Sequence, residues 1–312
     1  MKIHYLAQDS LRQFGFDQFS PITLKGGEVV DSPDKADVVM IPLPLREITH
    51  QSHETSHLDR NRLPRIIRHF GLDERRVVAY DCSDWEEDYA ATPNCLFIRC
   101  NTKGWMKRKM PRTISWPWPV ENFGDIAAPP VGGFKYDVSA HMWLSHNVRV
   151  HACESVQKIL GDRADIVTRK EFYGYIERDD PARAKDLKAA FKESMRVSRL
   201  SLCPASIPGV FPYRFFEAMS AGRVPILFGS DYTLPWQDEI DWKSCTFQYE
   251  ANECVRAGEI IRDLLSWTKD EQLVEMGKRG RQYWDRWLNR DRFPELMYEA
   301  VERVMRKDGL LR

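Results

Sequence analysis

Short apolar runs alternate with helical patterns along the chain, and this alternation most strongly limits the folds available to it. Each early run is bounded by Asp, Pro or Asn, and helical spacing of apolar residues occupies residues 58–70 between two of them. Strands separated by helices predict parallel βαβ units and an α/β fold. The predicted strands of this first part are residues 3–7, 38–41, 77–80 and 96–98.

The chain changes character between residues 115 and 133, where repeated prolines prevent a continuous helix. A second alternating series of strands and helices begins near residue 136. A chain of 312 residues is also long enough for two domains with separate cores. We therefore predict domains at residues 1–125 and 126–290, followed by a packing helix at residues 291–312.

The overall charge of the chain is balanced, with 46 Lys plus Arg and 46 Asp plus Glu. No global field therefore draws it to nucleic acid or to an anionic membrane, and we expect no nucleic-acid partner. The seven cysteines include no C-x-x-C and lie mostly in apolar runs, which favours buried thiols in a reducing compartment. Neither a signal peptide nor a transmembrane segment is recognisable, so the expected location is cytoplasmic.

Residues 198–242 contain the pattern that is most informative about chemistry. An apolar strand is followed by a turn-forming loop, then by Pro212 at a position suited to a helix start, and by Gly222 at the helix end. The free amides and the dipole at such a helix start attract phosphate. Arg214 offers a planar donor fork for phosphate oxygens, and Glu217 lies on the same face. An Arg and a Glu at this spacing also commonly form a simple surface pair.

The same window and its continuation contain a set of short motifs, which are Cys203, RFFEA at 214–218, VPI at 224–226, LPW at 234–236 and IDW at 240–242. This set resembles the exostosin-like glycosyltransferases. The resemblance extends most strongly over residues 198–290 and more weakly over most of the chain. It departs from the family at Pro212, where a small hydroxyl residue is usual, and Ser206 is a candidate replacement.

The resemblance implies a GT-B-like fold, in which two Rossmann-like domains face a cleft and a C-terminal helix crosses back to the first domain. It implies inverting transfer of a sugar from a nucleotide diphosphate donor, usually UDP, to a glycan acceptor, as in polysaccharide biosynthesis. No metal cofactor is expected, because arginines and a helix terminus can neutralise the leaving diphosphate. Arg214 is expected to bind the diphosphate, Glu217 the ribose, and Arg149 a second phosphate contact. The expected donor-binding residues are Arg214, Glu217, Arg149, Ser206, Gly209 and Tyr213.

Inverting transfer also requires a general base for the acceptor hydroxyl. Asp81 and Asp84 follow a predicted strand of the first domain, where the carboxyl ends of parallel strands meet a ligand crevice. Aspartate at such a position is also a routine turn or cap residue. Trp85 is a candidate for stacking on an acceptor sugar. His53 lies in a polar segment that is either simply solvated or part of the acceptor side.

Two other functions remain open on the sequence. A catalytically silent protein could use the same scaffold to bind a nucleotide or a glycan for a partner enzyme. A nucleotide-sugar epimerase or hydrolase could also use it, although the LPW and IDW motifs favour transfer. Release of nucleotide diphosphate that depends on an added acceptor would distinguish transfer from the other readings.

Overall fold

The computed structural model describes residues 1–7, 11, 24–42, 62–82, 91–206 and 210–311. The chain forms two compact units. The first comprises Met1–Trp118, Asp231–Trp236 and Asp291–Arg312, and the second comprises Pro119–Ser230 and Gln237–Arg290.

The first unit is built on a six-stranded parallel sheet in the order β2-β1-β3-β4-β5-β6. Its central strands are buried along their whole length, which explains why they appear in the sequence as continuous apolar runs. The strands are β1 (Lys2–Tyr5), β2 (Glu28–Val29), β3 (Val38–Pro42), β4 (Val77–Asp81), β5 (Leu96–Arg99) and β6 (Thr113–Ser115), and the helices described before residue 118 are α1 (Arg62–His69) and α2 (Gly104–Lys109).

The second unit contains a five-stranded parallel sheet in the order β11-β10-β9-β7-β8. Helices pack against it around a core of aliphatic residues from the strands and from α3 and α7. The strands are β7 (Tyr136–Trp143), β8 (Ala164–Arg169), β9 (Ser198–Pro204), β10 (Val224–Phe228) and β11 (Phe247–Tyr249), and the helices are α3 (Asn147–Leu160), α4 (Tyr173–Asp179), α5 (Pro181–Arg196), α6 (Tyr213–Ser220), α7 (Ala257–Trp267) and α8 (Asp270–Tyr283).

The C-terminal helix, α9 (Phe293–Lys307), belongs to the first unit. The backbone amide of Lys25 donates to the carbonyl of Pro294 over 3.0 Å, and the Arg112 guanidinium forms an ion pair with Asp308 at 2.9 Å. The predicted α/β fold with two parallel sheets and a returning C-terminal helix is therefore confirmed.

All seven cysteines are buried as free thiols, as expected from their apolar sequence surroundings. Within the described part of the chain, no helix combines the length and the apolar character needed to cross a bilayer. The cytoplasmic location stays a prediction.

Candidate functional site

The strand order of the second unit creates a topological switch point between β7 and β9. From β7 the chain moves outward to β8 on one side, whereas from β9 it moves to β10 and β11 on the other. In open parallel sheets, ligands bind outside the carboxyl ends of the strands at such a point. The segments that follow β7 and β9 lead into α3 and α6, so the starts of these two helices lie where a ligand is expected.

Helix α6 is fixed by its apolar face. Phe215, Phe216 and Met219 are buried, and Phe211 stacks on Phe216 with ring centroids 5.2 Å apart. Pro212 is the N-cap residue and provides no side-chain acceptor for the first amides. The helix is therefore anchored by packing rather than by a capping side chain.

A pocket of about 360 Å³ lies at this end of the second unit. Its charged lining residues are five cations and three carboxylates, so the pocket has a net positive lining that suits an anion. Aromatic side chains, including Trp143, Phe172 and Phe191, form much of the remaining wall. The charged residues are Arg149, Arg169, Lys188, Arg214, Arg290, Glu121, Glu177 and Glu217.

Arg214 lines this pocket from the first turn of α6. It is half-buried, and its Nη2 donates to the carbonyl oxygen of His141 over 2.5 Å. Its guanidinium carbon lies 5.6 Å from the centroid of the Phe191 ring. These contacts hold the guanidinium at the pocket wall, which is the position required of a phosphate-binding residue.

Arg149 lies in the first turn of α3 and also lines the pocket. Its Nη1 donates to the carbonyl of Trp143 over 3.0 Å and to the hydroxyl of Ser145 over 3.2 Å. The hydroxyls of Ser145 and Ser206 are hydrogen-bonded at 3.1 Å. Ser206 is thus linked to Arg149 through Ser145, and the loop after β9 joins the segment after β7.

Glu217 is half-buried in the pocket one helical turn after Arg214. Burial raises the pKa of its carboxyl, and the positive charge of Arg214 partly opposes that shift. The ionised carboxylate can accept hydrogen bonds from two hydroxyls, which is what a ribose diol offers. Tyr213 also lines the pocket and is exposed to solvent.

His141 and Arg169 are among the pocket residues that reasoning from the sequence missed. Burial lowers the pKa of His141, although Asp165, whose Oδ2 lies 3.4 Å from Nε2, opposes the shift. Arg169 is the last residue of β8, and a position at the carboxyl end of a parallel strand is a signal that could have found it. Histidines 141, 146 and 151 are too scattered in sequence to indicate a site.

The predicted base Asp81 lies in a different environment. It is buried in β4, and its Oδ2 forms an ion pair of 2.8 Å with Arg99 of β5, which is buried as well. Parallel register places these two residues opposite each other. A carboxylate held in a buried ion pair is poorly suited to accept a proton from a sugar hydroxyl, so this geometry argues against Asp81 as the base.

The remaining predicted site residues, Asp84, Trp85, His53 and Gly209, lie outside the described residues. Trp116 and Trp118 are buried in the first unit, and Trp116 packs against Trp236 and Phe293. These two side chains therefore belong to the core of that unit. Over the residues that are described, no group of three or more His, Cys, Asp or Glu side chains is arranged to hold a metal ion.

Residues 147–264, from the start of α3 into α7, match the family model of the Exostosin GT47 domain. Over this segment the chain is similar to the exostosin family. The matched segment contains Arg149, Arg169, Arg214 and Glu217, so the family domain includes most of the charged wall of the pocket.

Two curated relatives match short segments of the chain. A "probable glycosyltransferase" of Arabidopsis thaliana is 31% identical over 74 residues, which are 24% of this chain and 16% of the relative. Exostosin-1 of Drosophila melanogaster is 25% identical over 76 residues, which are 24% of this chain and 10% of the relative. The matched segment thus spans less than a fifth of either relative.

Solved structures show a broader but more distant likeness. Anabaena HepE in complex with UDP and glucose has a TM-score of 0.49 at 10% identity, covering 86% of this chain and 78% of that one. A glycosyltransferase from Rickettsia africae has a TM-score of 0.44 at 13% identity, covering 100% and 98%. Sucrose-phosphate synthase from Thermosynechococcus elongatus has a TM-score of 0.46 at 10% identity, covering 98% and 100%. At these TM-scores the likeness carries no functional argument.

Proposed function

We propose that this chain is an inverting glycosyltransferase that binds a nucleotide diphosphate sugar in the pocket of its second unit. The observation that carries the proposal is that Arg149 and Arg214 line one pocket at the switch point of a parallel sheet. Both residues also lie inside the segment that matches the exostosin domain. Both arginines come from first turns of helices, where backbone amides and the helix dipole add to the attraction for phosphate.

In this proposal Arg214 and Arg149 bind the diphosphate and Glu217 accepts hydrogen bonds from the ribose hydroxyls. Ser206 supports Arg149 through Ser145, which compensates for the hydroxyl residue absent at Pro212. UDP is the nucleotide that the family resemblance implies, and Tyr213 and Gly209 complete the predicted donor site. The acceptor is a hydroxyl of a glycan or glycoconjugate.

The reaction transfers one glycosyl group with inversion at its anomeric carbon. The acceptor oxygen forms a bond to that carbon as the bond to the diphosphate oxygen breaks, and the general base takes the acceptor proton. Negative charge that develops on the leaving diphosphate is stabilised by the arginines, so we propose that no metal ion is required. Asp84 is the proposed base, because the buried ion pair of Asp81 leaves it as the better of the two candidates.

The donor site is tested by Arg214→Ala. A charge-assisted hydrogen bond contributes about 1.5–3 kcal/mol, so loss of one such contact should weaken UDP binding by roughly 10- to 150-fold. Isothermal titration calorimetry with UDP measures the effect, and Arg178→Ala is the control because Arg178 is exposed and paired with Asp179. Unchanged UDP affinity in Arg214→Ala would show that this donor site is wrongly assigned.

A catalytically silent nucleotide-binding protein is the second candidate, and the buried pairing of Asp81 favours it by removing one of the two bases. Incubation with a panel of nucleotide sugars separates the readings. Transfer predicts nucleotide diphosphate release that depends on an added acceptor. Hydrolysis predicts release without acceptor, and a silent protein predicts binding without release.

A further inference from the structure

Arg169 reaches the pocket from a direction that neither of the predicted arginines uses. It is the last residue of β8, and parallel register pairs it with Trp143, the last residue of β7. Its carbonyl accepts a hydrogen bond from the amide of Leu144 over 3.3 Å. The backbone therefore fixes Arg169 beside the segment that carries Arg149, at the carboxyl edge of the sheet.

The charges around Arg169 make its position costly without an anion. Burial lowers the pKa of Arg169, and the positive charge of Arg214 lowers it further, with partial compensation from Tyr173 and Glu217. Three guanidinium groups, those of Arg149, Arg169 and Arg214, line the same pocket. Like charges held in a partly desolvated pocket repel each other, so a bound anion would relieve a stress that the ligand-free protein carries.

The hydrogen bonding of these side chains also indicates that the pocket binds an anion. The Nε atoms of Arg169 and Arg214 are buried, and neither finds an acceptor within the described residues. Buried donors almost always have a partner, and two such donors around one pocket indicate an acceptor-rich ligand. Arg178 and Arg183, which do not line the pocket, are exposed and paired with carboxylates.

We propose that Arg169 is a third phosphate-binding residue and that it makes the pocket prefer a diphosphate to a monophosphate. The proposal rests on the proposed function, because it concerns the same donor site. A monophosphate offers one phosphoryl group, which the two helix-borne arginines can neutralise. A second phosphoryl group adds charge and acceptor oxygens, and Arg169 supplies the additional cation and donors.

A purely structural role for Arg169 makes the opposite prediction about stability. Its guanidinium carbon lies 5.8 Å from the centroid of the Tyr173 ring, a contact that could serve packing alone. If packing were its role, Arg169→Ala would lower the melting temperature of the ligand-free protein. Relief of repulsion instead predicts a melting temperature equal to or above that of the wild type, with a rise of roughly 2 °C.

The experiment measures affinities for UDP, UMP and inorganic pyrophosphate by titration calorimetry, together with the melting temperature without ligand. Arg169→Ala should weaken the binding of UDP and of pyrophosphate by roughly 10- to 100-fold. It should weaken the binding of UMP far less, so the preference for UDP over UMP falls. Arg169→Lys keeps the charge but has no Nε, and it should lose part of the preference. Arg178→Ala, on the neighbouring helix, should match the wild type in every measurement.

The outcomes separate this inference from the proposed function. If Arg169→Ala binds UDP and pyrophosphate like the wild type while Arg214→Ala loses both, the inference is overturned and the donor site stands. If Arg169→Ala loses the same factor of affinity for UDP and for UMP, the proposed preference for a diphosphate is overturned. If the wild type binds pyrophosphate through Arg169 but binds no nucleotide, the third contact stands and the proposed function fails. Should Arg169→Ala not fold, Arg169→Lys decides: an unchanged preference overturns the inference.

Discussion

Two buried glycines of α8, Gly277 and Gly280, should respond differently to the same substitution. A methyl group at Gly277 would overlap the carbonyl oxygen of Gly222, which lies two residues beyond the end of α6. A methyl group at Gly280 would lie 3.6 Å from the Cβ of Cys245 and 3.9 Å from the Cγ of Met219, which are ordinary contacts. The two positions therefore differ in the room around them and share the same helix.

The magnitude follows from two terms. Alanine is favoured over glycine in a helix by about 1 kcal/mol at each position, and this term cancels between the variants. Overlap with a backbone atom forces a shift that costs about 1–3 kcal/mol, and it applies only at Gly277. Gly280→Ala should thus stabilise the protein by about 1 kcal/mol, and Gly277→Ala should be about 1–3 kcal/mol less stable than Gly280→Ala.

Urea unfolding of the wild type and both variants gives the comparison, with the unfolding slope checked for equality among the three. Nucleotide affinity provides a second measurement, because Gly277 packs against the end of the helix that carries Arg214 and Glu217. We expect Gly277→Ala to weaken UDP binding and Gly280→Ala to leave it unchanged. Equal unfolding free energies for the two variants would refute the close approach of α8 to Gly222.

Two further predictions concern the half-buried carboxylate of Glu217 and the buried carboxylate of Asp81. Because the folded-state pKa of Glu217 is raised, its effect on stability is most favourable at low pH and is lost as pH rises through that pKa. Glu217→Gln should therefore gain stability relative to the wild type as the pH is raised from acid to neutral. A difference in melting temperature between the two proteins that stays constant over this pH range would contradict the raised pKa of Glu217. Asp81→Asn should destabilise the protein by about 3–5 kcal/mol, because it leaves the buried Arg99 charge without its carboxylate. The double variant Asp81→Asn with Arg99→Met should recover part of this loss, and urea unfolding of both variants measures the difference.

Much of the fold could be predicted because it depends on local patterns. Apolar runs bounded by turn residues located β3, β4 and β5 closely, since a buried parallel strand needs a continuous apolar segment. Short or polar elements escaped prediction. The edge strand β2 has only two residues, and both are exposed, so no apolar signal marks it.

The candidate site was predictable to the extent that its residues share one helix. Arg214 and Glu217 are three residues apart in a pattern that begins at a proline and ends before a glycine, so their common face follows from helical geometry alone. Tyr213 and Arg149 line the same pocket as these two residues. The contribution of Arg169 could not be predicted in this way, because it depends on which strands become neighbours.

The sequence by itself determined the alternation of strands and helices and the helix that carries Arg214 and Glu217, because propensity, period and capping act over a few residues. Only the tertiary structure decided that β8 lies beside β7 and brings Arg169 to the pocket, and that β4 lies beside β5 and pairs Asp81 with Arg99. Strand order and burial are set by packing between distant segments. They therefore determine which charged side chains share an environment, and hence which can bind an anion together and which neutralise each other.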